Sequence, residues 1–517
     1  MPLSPSLALA AHARSSSRAD RALAMGLLAF ASAWLLLLIF TRNAPPLDNV
    51  EQWVWSQGLA LGYYKHPPLP TWLAFAVHAL AGRSPVWISV MGAACLVGAL
   101  WLYAKLLSEL CGRAFARLAV LAALCITYAT LRIDLYNHNT VMMPLMAGIA
   151  CLMWRVTTTP RLRTWLGIGV LIGLGLLTKY QFALIGACVA LWWLRIGGWR
   201  QRVHLQGALL AALAAVLVFM PHAWWLVKSD WAPLHYASQS SLGAHLPLGE
   251  RPAHVVLWML DWLGNRLLPA WVLLAAAWFA LRRSTGKVLK ADPQARDLLL
   301  LLGWLPPILM VLLGLFTGMR LQFKWSTAFW MWTIPAVMVT VPTFTRSMRF
   351  SRRSKVIVLG AFVLLQAGLI LWQVKSVEPC PPEHVCPWAQ RSYDEAALAA
   401  DAFSNERLGG PAQILSGPYG VTGLLAQQLR HSSSEVPAVL IDGELEKSPW
   451  LDAQTLAASR VVQVWPGCKL PAGAERIMPG WYVTLPGPDF VQSPAYLQSE
   501  TWQTASDQGG GQFVQCP

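Results

Sequence analysis

Long apolar stretches recur through the first 375 residues, at 22–41, 86–107, 115–132, 139–155, 164–178, 181–194, 205–227, 267–281, 298–318, 325–342 and 356–374. A helix needs about 20 mostly apolar residues to cross roughly 30 Å of hydrocarbon. The pattern predicts eleven transmembrane spans, an odd number that leaves the two chain ends on opposite sides. The run 69–82 (LPTWLAFAVHALAG) is apolar but shorter, and predicts an interfacial or re-entrant helix. After the proline-rich joint at 378–382 the pattern changes. It predicts helices over 393–408 and 420–430, a short apolar run Gln413–Ser416, and strands at 437–441, 460–465 and 481–485. Such alternation reads as a small α/β domain. The chain thus divides into a polytopic α-helical membrane domain, 1–375, and a soluble α/β domain, 376–517, with a loose end near Gly509–Gly511.

Composition sharpens this division. Of 517 residues 56% are apolar and 13% charged, with a mean hydropathy of +0.45. Soluble proteins average about 45–50% and about 25%, so soluble, disordered and collagen-like classes are excluded. The net charge of +15 is unevenly placed: residues 1–375 hold 33 Lys/Arg and 10 Asp/Glu, residues 376–517 hold 7 and 15. An acidic soluble part without a basic stripe argues against nucleic acid as a partner. Alternate loops carry clusters such as Lys105/Arg113/Arg117, Arg155/Arg161/Arg163 and Arg195/Arg200/Arg202. By the positive-inside rule these loops and the N-terminus are cytoplasmic, and the C-terminal domain lies outside. The first run, with no small-residue cleavage site after it, is expected to be a retained signal anchor. Cys380, Cys386, Cys468 and Cys516 would then meet an oxidising compartment, where two disulfides or a zinc site are open readings.

The outer-face loops hold the polar residues that carry chemistry. In Asp48-Asn-Val-Glu51-Gln-Trp53-Val-Trp55 the acids fit a helix cap with its reciprocal carboxylate, and the tryptophans an interfacial belt, as for most of the 28 Trp. Asp48 at a membrane edge equally fits a base that takes a proton from an incoming hydroxyl. Next comes Tyr64-Lys65-His66-Pro-Pro68, whose prolines break any helix and fix a cation and an imidazole in place. Lys65 is either a snorkelling anchor or a point-charge partner for a phosphate. The second loop, Arg132-Ile-Asp134-Leu-Tyr-Asn137-His138-Asn139, either caps the next helix or binds a ligand. Lys179-Tyr180, Arg320 and Lys324 add cations on the same face, against the positive-inside trend; an anionic partner there would explain the exception. The turn Ser416-Gly-Pro-Tyr-Gly420 reads as ordinary turn chemistry, since it lacks a phosphate-binding glycine pattern.

Asp48…Glu51-Gln-Trp-Val-Trp-Ser-Gln-Gly-Leu-Ala-Leu-Gly-Tyr-Tyr-Lys65-His66-Pro-Pro-Leu-Pro resembles the first outer loop of bacterial family-39-type glycosyltransferases. Those membrane enzymes include protein O-mannosyltransferases, lipid A aminoarabinose transferases and lipopolysaccharide-core galacturonosyltransferases. Leu177-Thr-Lys-Tyr-Gln-Phe182 and Met220-Pro-His-Ala-Trp-Trp225…Asp230-Trp231 are similar to further segments, and the likeness covers about residues 20–340. It implies a GT-C fold, a polyprenyl-phosphate-linked sugar donor, a lipid or glycan acceptor in the envelope, and a site on the periplasmic face of the bacterial inner membrane. The aspartate base would be Asp48, with Glu51 the next acid. Lys65 with His66, and Arg132, Lys179, Arg320 or Lys324, would hold the donor phosphate. Tyr64, Asp134, Asn137, His138, Asn139 and Tyr180 would contact sugar or acceptor. Two departures stand out: Asn49 follows Asp48 where many members have a second acid, and Tyr136-Asn-His-Asn139 replaces a Pro-Asp pair. Both weaken a metal site, so a divalent metal is left open but unsupported. A transporter or lipid flippase is the alternative of another class, predicting inverted repeats around a midplane site; the chain has no internal repeat.

Overall fold

The computed structural model describes residues 5–239, 245–282, 292–346, 348, 350–376, 393–429, 436–466, 473–478 and 481–486. The first helices are α1 (Pro5–Thr41), α2 (Leu47–Trp55), α3 (Leu69–Ala81), α4 (Pro85–Cys111), α5 (Arg113–Ala123) and α6 (His138–Thr158). They continue with α7 (Leu162–Leu176), α8 (Ala183–Arg195), α9 (Arg202–Lys228), α10 (Ala232–Gln239), α11 (Arg251–Leu260) and α12 (Leu268–Leu281). Then come α13 (Pro293–Thr317), α14 (Trp330–Met338) and α15 (Arg352–Lys375). Among the described residues six helices are long and apolar enough to cross a membrane: Asp20–Thr41, Pro85–Cys111, His138–Thr158, Arg202–Lys228, Pro293–Thr317 and Arg352–Lys375. A seventh candidate is the pair Arg251–Arg266 and Leu268–Leu281, bent by 55°. The other expected runs form shorter helices. Polar Thr127, Thr130 and Arg132 follow the end of α5, and Pro335 lies within α14. The 69–82 run is α3, as its length predicts.

The helices pack with alternating direction. At one end of the bundle Gln373 donates to Thr41 (3.2 Å), Lys179 to Asn139 (3.0 Å) and Gln181 to the Trp325 carbonyl (3.1 Å). At the other, Trp154 donates to Glu109 (2.9 Å), Trp193 to the His204 carbonyl (3.2 Å) and Ser354 to the Ala280 carbonyl (3.1 Å), and Arg195 pairs with Asp297. Small residues allow the closest approach. Gly169 and Gly173 of α7 face Ala211 and Ala215 of α9, where a methyl on Gly169 would overlap the Ala211 backbone. This small-xxx-small seam supplies the packing that lipid-bathed helices cannot draw from water exclusion. Some of the tryptophans depart from the expected belt. Trp53, Trp55, Trp165, Trp192, Trp258, Trp262, Trp330 and Trp332 are fully buried; Trp87, Trp199 and Trp224 are among those that face outward.

Beyond the bundle, α16 (Asp394–Leu408), α17 (Tyr419–Leu429) and α18 (Ala453–Ala458) accompany five strands. These are β1 (Ile414–Gly417), β2 (Ala438–Ile441), β3 (Val461–Pro466), β4 (Glu475–Met478) and β5 (Trp481–Thr484), in the order β2-β1-β3-β5-β4. The first three are parallel, and β5 and β4 add on antiparallel. The helices and strands read from the pattern are present, joined by α18 and β4. Helix α17 lies on α2: a Cβ on Gly423 would stand 2.6 and 2.7 Å from the methyls of Val50 and Val54. One apolar cluster therefore runs from Val50, Val54 and Tyr63 into Leu424, Val439 and Val483. Cys95, Cys111, Cys125, Cys151 and Cys188 are free thiols. The expected disulfide cysteines, Cys380, Cys386, Cys468 and Cys516, and the 509–511 end lie outside the described residues.

Two alanine substitutions separate the seam from intrinsic helix preference. Gly169→Ala should lower the melting temperature in detergent by several degrees, since overpacking costs about 1–3 kcal/mol. Gly186→Ala in α8, where nothing lies within 4 Å, should raise it slightly, since alanine is the better helix former by about 0.5–1 kcal/mol. Equal effects of the two would refute the seam.

Candidate active site

The chain leaves α1 through Arg42 and enters α2 behind Pro46, whose φ of −53° suits a helix start. Asp48 sits in the first turn, where the helix dipole favours a carboxylate. It is not a capping residue: no side chain caps α2, and Asp48 Oδ2 instead accepts from Asn137 Nδ2 at 2.7 Å. One turn later Glu51 pairs with Lys65 at 2.7 Å, both almost out of solvent. Lys65 is at the tip of a tight turn in which Tyr63 and His66 exchange backbone hydrogen bonds of 3.1 Å. The break at Pro67-Pro68 leads straight into α3, and Leu69 N–H donates to the Leu177 carbonyl (2.9 Å), drawing the Lys179 loop alongside.

The second loop does two jobs at once. Asn137 caps α6, its Oδ1 accepting from the backbone of Asn139 and Thr140 while Thr140 Oγ1 accepts from the Asn137 backbone. Its amide is then free to hold Asp48. Asn139 Oδ1 accepts from Lys179 Nζ, and His138 packs against His66 with ring centroids 4.1 Å apart. Tyr180 bonds His222 (2.9 Å), whose other ring nitrogen meets the Leu61 carbonyl (2.7 Å). The Met220–Trp225 segment thus braces the Lys179-Tyr180 loop.

These elements enclose a cavity of about 350 Å³. Asp48, Glu51, Lys65, His66, Asn137, His138, Asn139, Lys179, Tyr180 and Lys324 all line it, although they come from five separate stretches of sequence. Ala183, Leu184, Met310 and Leu313 form an apolar wall. Burial by itself would raise the Asp48 carboxyl, but Lys324, the Asn137 amide and Lys65 outweigh it and hold the group below its ordinary value. Glu51 is raised, burial and the nearby Asp48 overcoming Lys65. Burial and the neighbouring Lys324 lower the Lys179 ammonium to about 7. Lys65 is held well above the usual lysine value despite its burial, by Glu51 and the surrounding tyrosines.

Four expected site residues do not line the cavity. Arg132 and Arg320 are exposed: their side chains point outward while their neighbours Leu131, Ile133 and Leu321 are buried. Asp134 is buried in a structural pair with Arg42 (2.6 Å), and its carbonyl accepts from Asn49 (2.7 Å), so this acid fastens α2 rather than facing a ligand. Tyr64 stands behind the lining, its ring 5.3 Å from Lys65 Nζ and edge-on to Tyr236 with centroids 5.8 Å apart. Conversely Gln181, Tyr236, Trp325 and Tyr419 line the cavity without having been expected. Their one signal was proximity in sequence to quoted motifs: Gln181 beside Lys179-Tyr180, Trp325 beside Lys324, Tyr419 in the Ser416–Gly420 turn. Among the described residues no group of three or more His, Cys, Asp or Glu is arranged to hold a metal ion.

Comparison with known proteins agrees with the resemblance read from the first loop. Residues 65–225 match the family described as dolichyl-phosphate-mannose-protein mannosyltransferase. The lipopolysaccharide core galacturonosyltransferase RgtA of Rhizobium johnstonii is 26% identical over 86% of both chains. From the same organism, the core galacturonosyltransferase RgtB is 32% identical over 36% of this chain and 38% of its own. The fold matches the crystal structure of ArnT from Cupriavidus metallidurans bound to undecaprenyl phosphate, with a TM-score of 0.56 and 12% identity, over 93% of this chain and 99% of that one. None of these is a transporter.

Asn137 offers a test of the shared cap. Asn137→Ala should cost about 0.5–2 kcal/mol of stability, read as a drop of a few degrees in melting temperature. Asn137→Ser, which keeps an N-cap oxygen, should recover most of it; no recovery would show that the cap contributes little.

Proposed function

We propose that this chain, a GT-C membrane glycosyltransferase, transfers a sugar from a polyprenyl-phosphate donor to the core or lipid A part of lipopolysaccharide, with Asp48 as base. The observation that carries this reading is one cavity holding Asp48 beside three ammonium groups, Lys65, Lys179 and Lys324, against an apolar wall. A lipid-linked sugar phosphate needs just such a split surface. Its prenyl chain fits along Ala183, Leu184, Met310 and Leu313, and its phosphate fits among the lysines. The names of the Rhizobium relatives support the acceptor class.

In this mechanism the acceptor hydroxyl gives its proton to Asp48 as its oxygen bonds to the anomeric carbon. The bond from that carbon to the phosphate oxygen breaks, and the electron pair leaves with the polyprenyl phosphate. A carboxyl held low is ionised and ready to accept the proton. Preorganised lysines stabilise the departing charge, generally the largest catalytic contribution. His66, His138, Asn139 and Tyr180 border the space left for sugar and acceptor.

The same reading takes the chain as eleven-pass in the inner membrane, its N-terminus cytoplasmic and residues 376–517 periplasmic. The alternating helix directions support it, since they gather the arginine-rich loops of α4–α5, α6–α7 and α8–α9 at the end away from the cavity. The tail packs at the cavity end.

Asp48→Asn should reduce transfer by about 10²–10⁴-fold with an unchanged melting temperature; full activity in the purified variant would sink the assignment. Lys179 supplies a pH test. An anion binds the protonated amine, so binding is complete below about 7 and weakens as pH rises through it. A phosphodiester donor keeps constant charge in this range, and its Kd should rise about tenfold from pH 6 to pH 8. In Lys179→Arg the dependence should flatten, because arginine stays charged.

A further inference from the structure

The Ser416–Gly420 turn belongs to the C-terminal domain, yet it enters the cavity. Gly417, at φ 147°, ends β1 and lets the chain swing directly into α17. Tyr419, at the head of that helix, reaches past α2 until its ring lies 4.2 Å from Lys65 Nζ. Two more tyrosines, Tyr64 and Tyr236, stand 5.3 Å from the same atom. Together with Glu51 they surround the ammonium with one carboxylate and three aromatic faces. Tyr419 is the nearest of the three rings and comes from the most distant part of the chain. Its approach is set by packing: Gly423, one turn along α17, is seated on Val50 and Val54 of the helix that carries Asp48 and Glu51.

We propose that Tyr419 is a positioning residue for the donor, its ring holding Lys65 charged and aimed into the cavity, so that the C-terminal domain completes the donor site. The proposal rests on the reading of Lys65 as a phosphate partner. An ammonium taken out of water loses hydration that aromatic faces partly replace, each through its negative quadrupole. The hydroxyl of Tyr419 plays no part in this, and the ring alone carries the effect. A domain that merely recognised acceptor would have no reason to place a side chain on a donor lysine.

The test is binding of undecaprenyl phosphate to the purified full-length chain, with Tyr419→Leu, Tyr419→Phe, Lys65→Met and the double variant Lys65→Met/Tyr419→Leu. Leucine fills the space without a π face, so Tyr419→Leu should raise Kd about tenfold, and Tyr419→Phe should restore it to within about twofold. The double variant should bind no more weakly than Lys65→Met alone, because the ring acts only through the lysine. Wild-type affinity in Tyr419→Leu, an equal loss in Tyr419→Phe, or additive losses in the double variant would each overturn the proposal. Failure of the wild-type chain to bind the probe, or of Lys65→Met to weaken it, would instead overturn the underlying donor reading.

Discussion

The Glu51–Lys65 ion pair is the contact from which the site is organised. Two charges withdrawn from water at a membrane edge cost several kcal/mol each unless geometry and neighbours compensate. Here the compensation comes from every side: a 2.7 Å pair, aromatic faces from the first loop, the α9–α11 region and the C-terminal domain, and a helix start nearby. Breaking the pair would leave an uncompensated charge against the aromatic walls. Loops that are individually short and irregular are thus drawn into a single arrangement.

Charge bookkeeping gives the cavity its character. With Lys179 protonated, three ammonium groups face two carboxylates, leaving one positive charge in excess, and the proposed sugar phosphodiester would bring one negative charge. In the proposed transfer, moving the acceptor proton to Asp48 while the phosphate gains its second charge would leave the sum inside the cavity unchanged. A low-dielectric site, in which uncompensated charge is costly, suits a reaction that only redistributes it.

The apolar runs made most of the helices legible, and the short runs after residue 393 foretold the tail's sheet, because both periodicities are local. Asp48, Glu51, Lys65, Lys179 and Lys324 were also legible, as polar groups placed where lipid-edge chemistry makes them costly. What local pattern could not separate was Lys179 and Lys324 from Arg132 and Arg320: all four follow apolar runs on one face, and only the turn geometry decides which side chains point inward. Asp134 was misread for a similar reason, since its partner Arg42 lies 92 residues away. The burial of Trp53 and Trp55 and the entry of Tyr419 depend on contacts across the whole chain, and no spacing rule encodes them.

Asn137 has a consequence for how such a protein can change over time. Serine, threonine and aspartate can all begin a helix, but asparagine alone among the favoured starters offers a separate carbonyl oxygen and amide. The oxygen serves α6 while the amide serves Asp48. A single letter of the amino-acid alphabet therefore satisfies both demands, and each of the other three starters would give up the amide that holds Asp48.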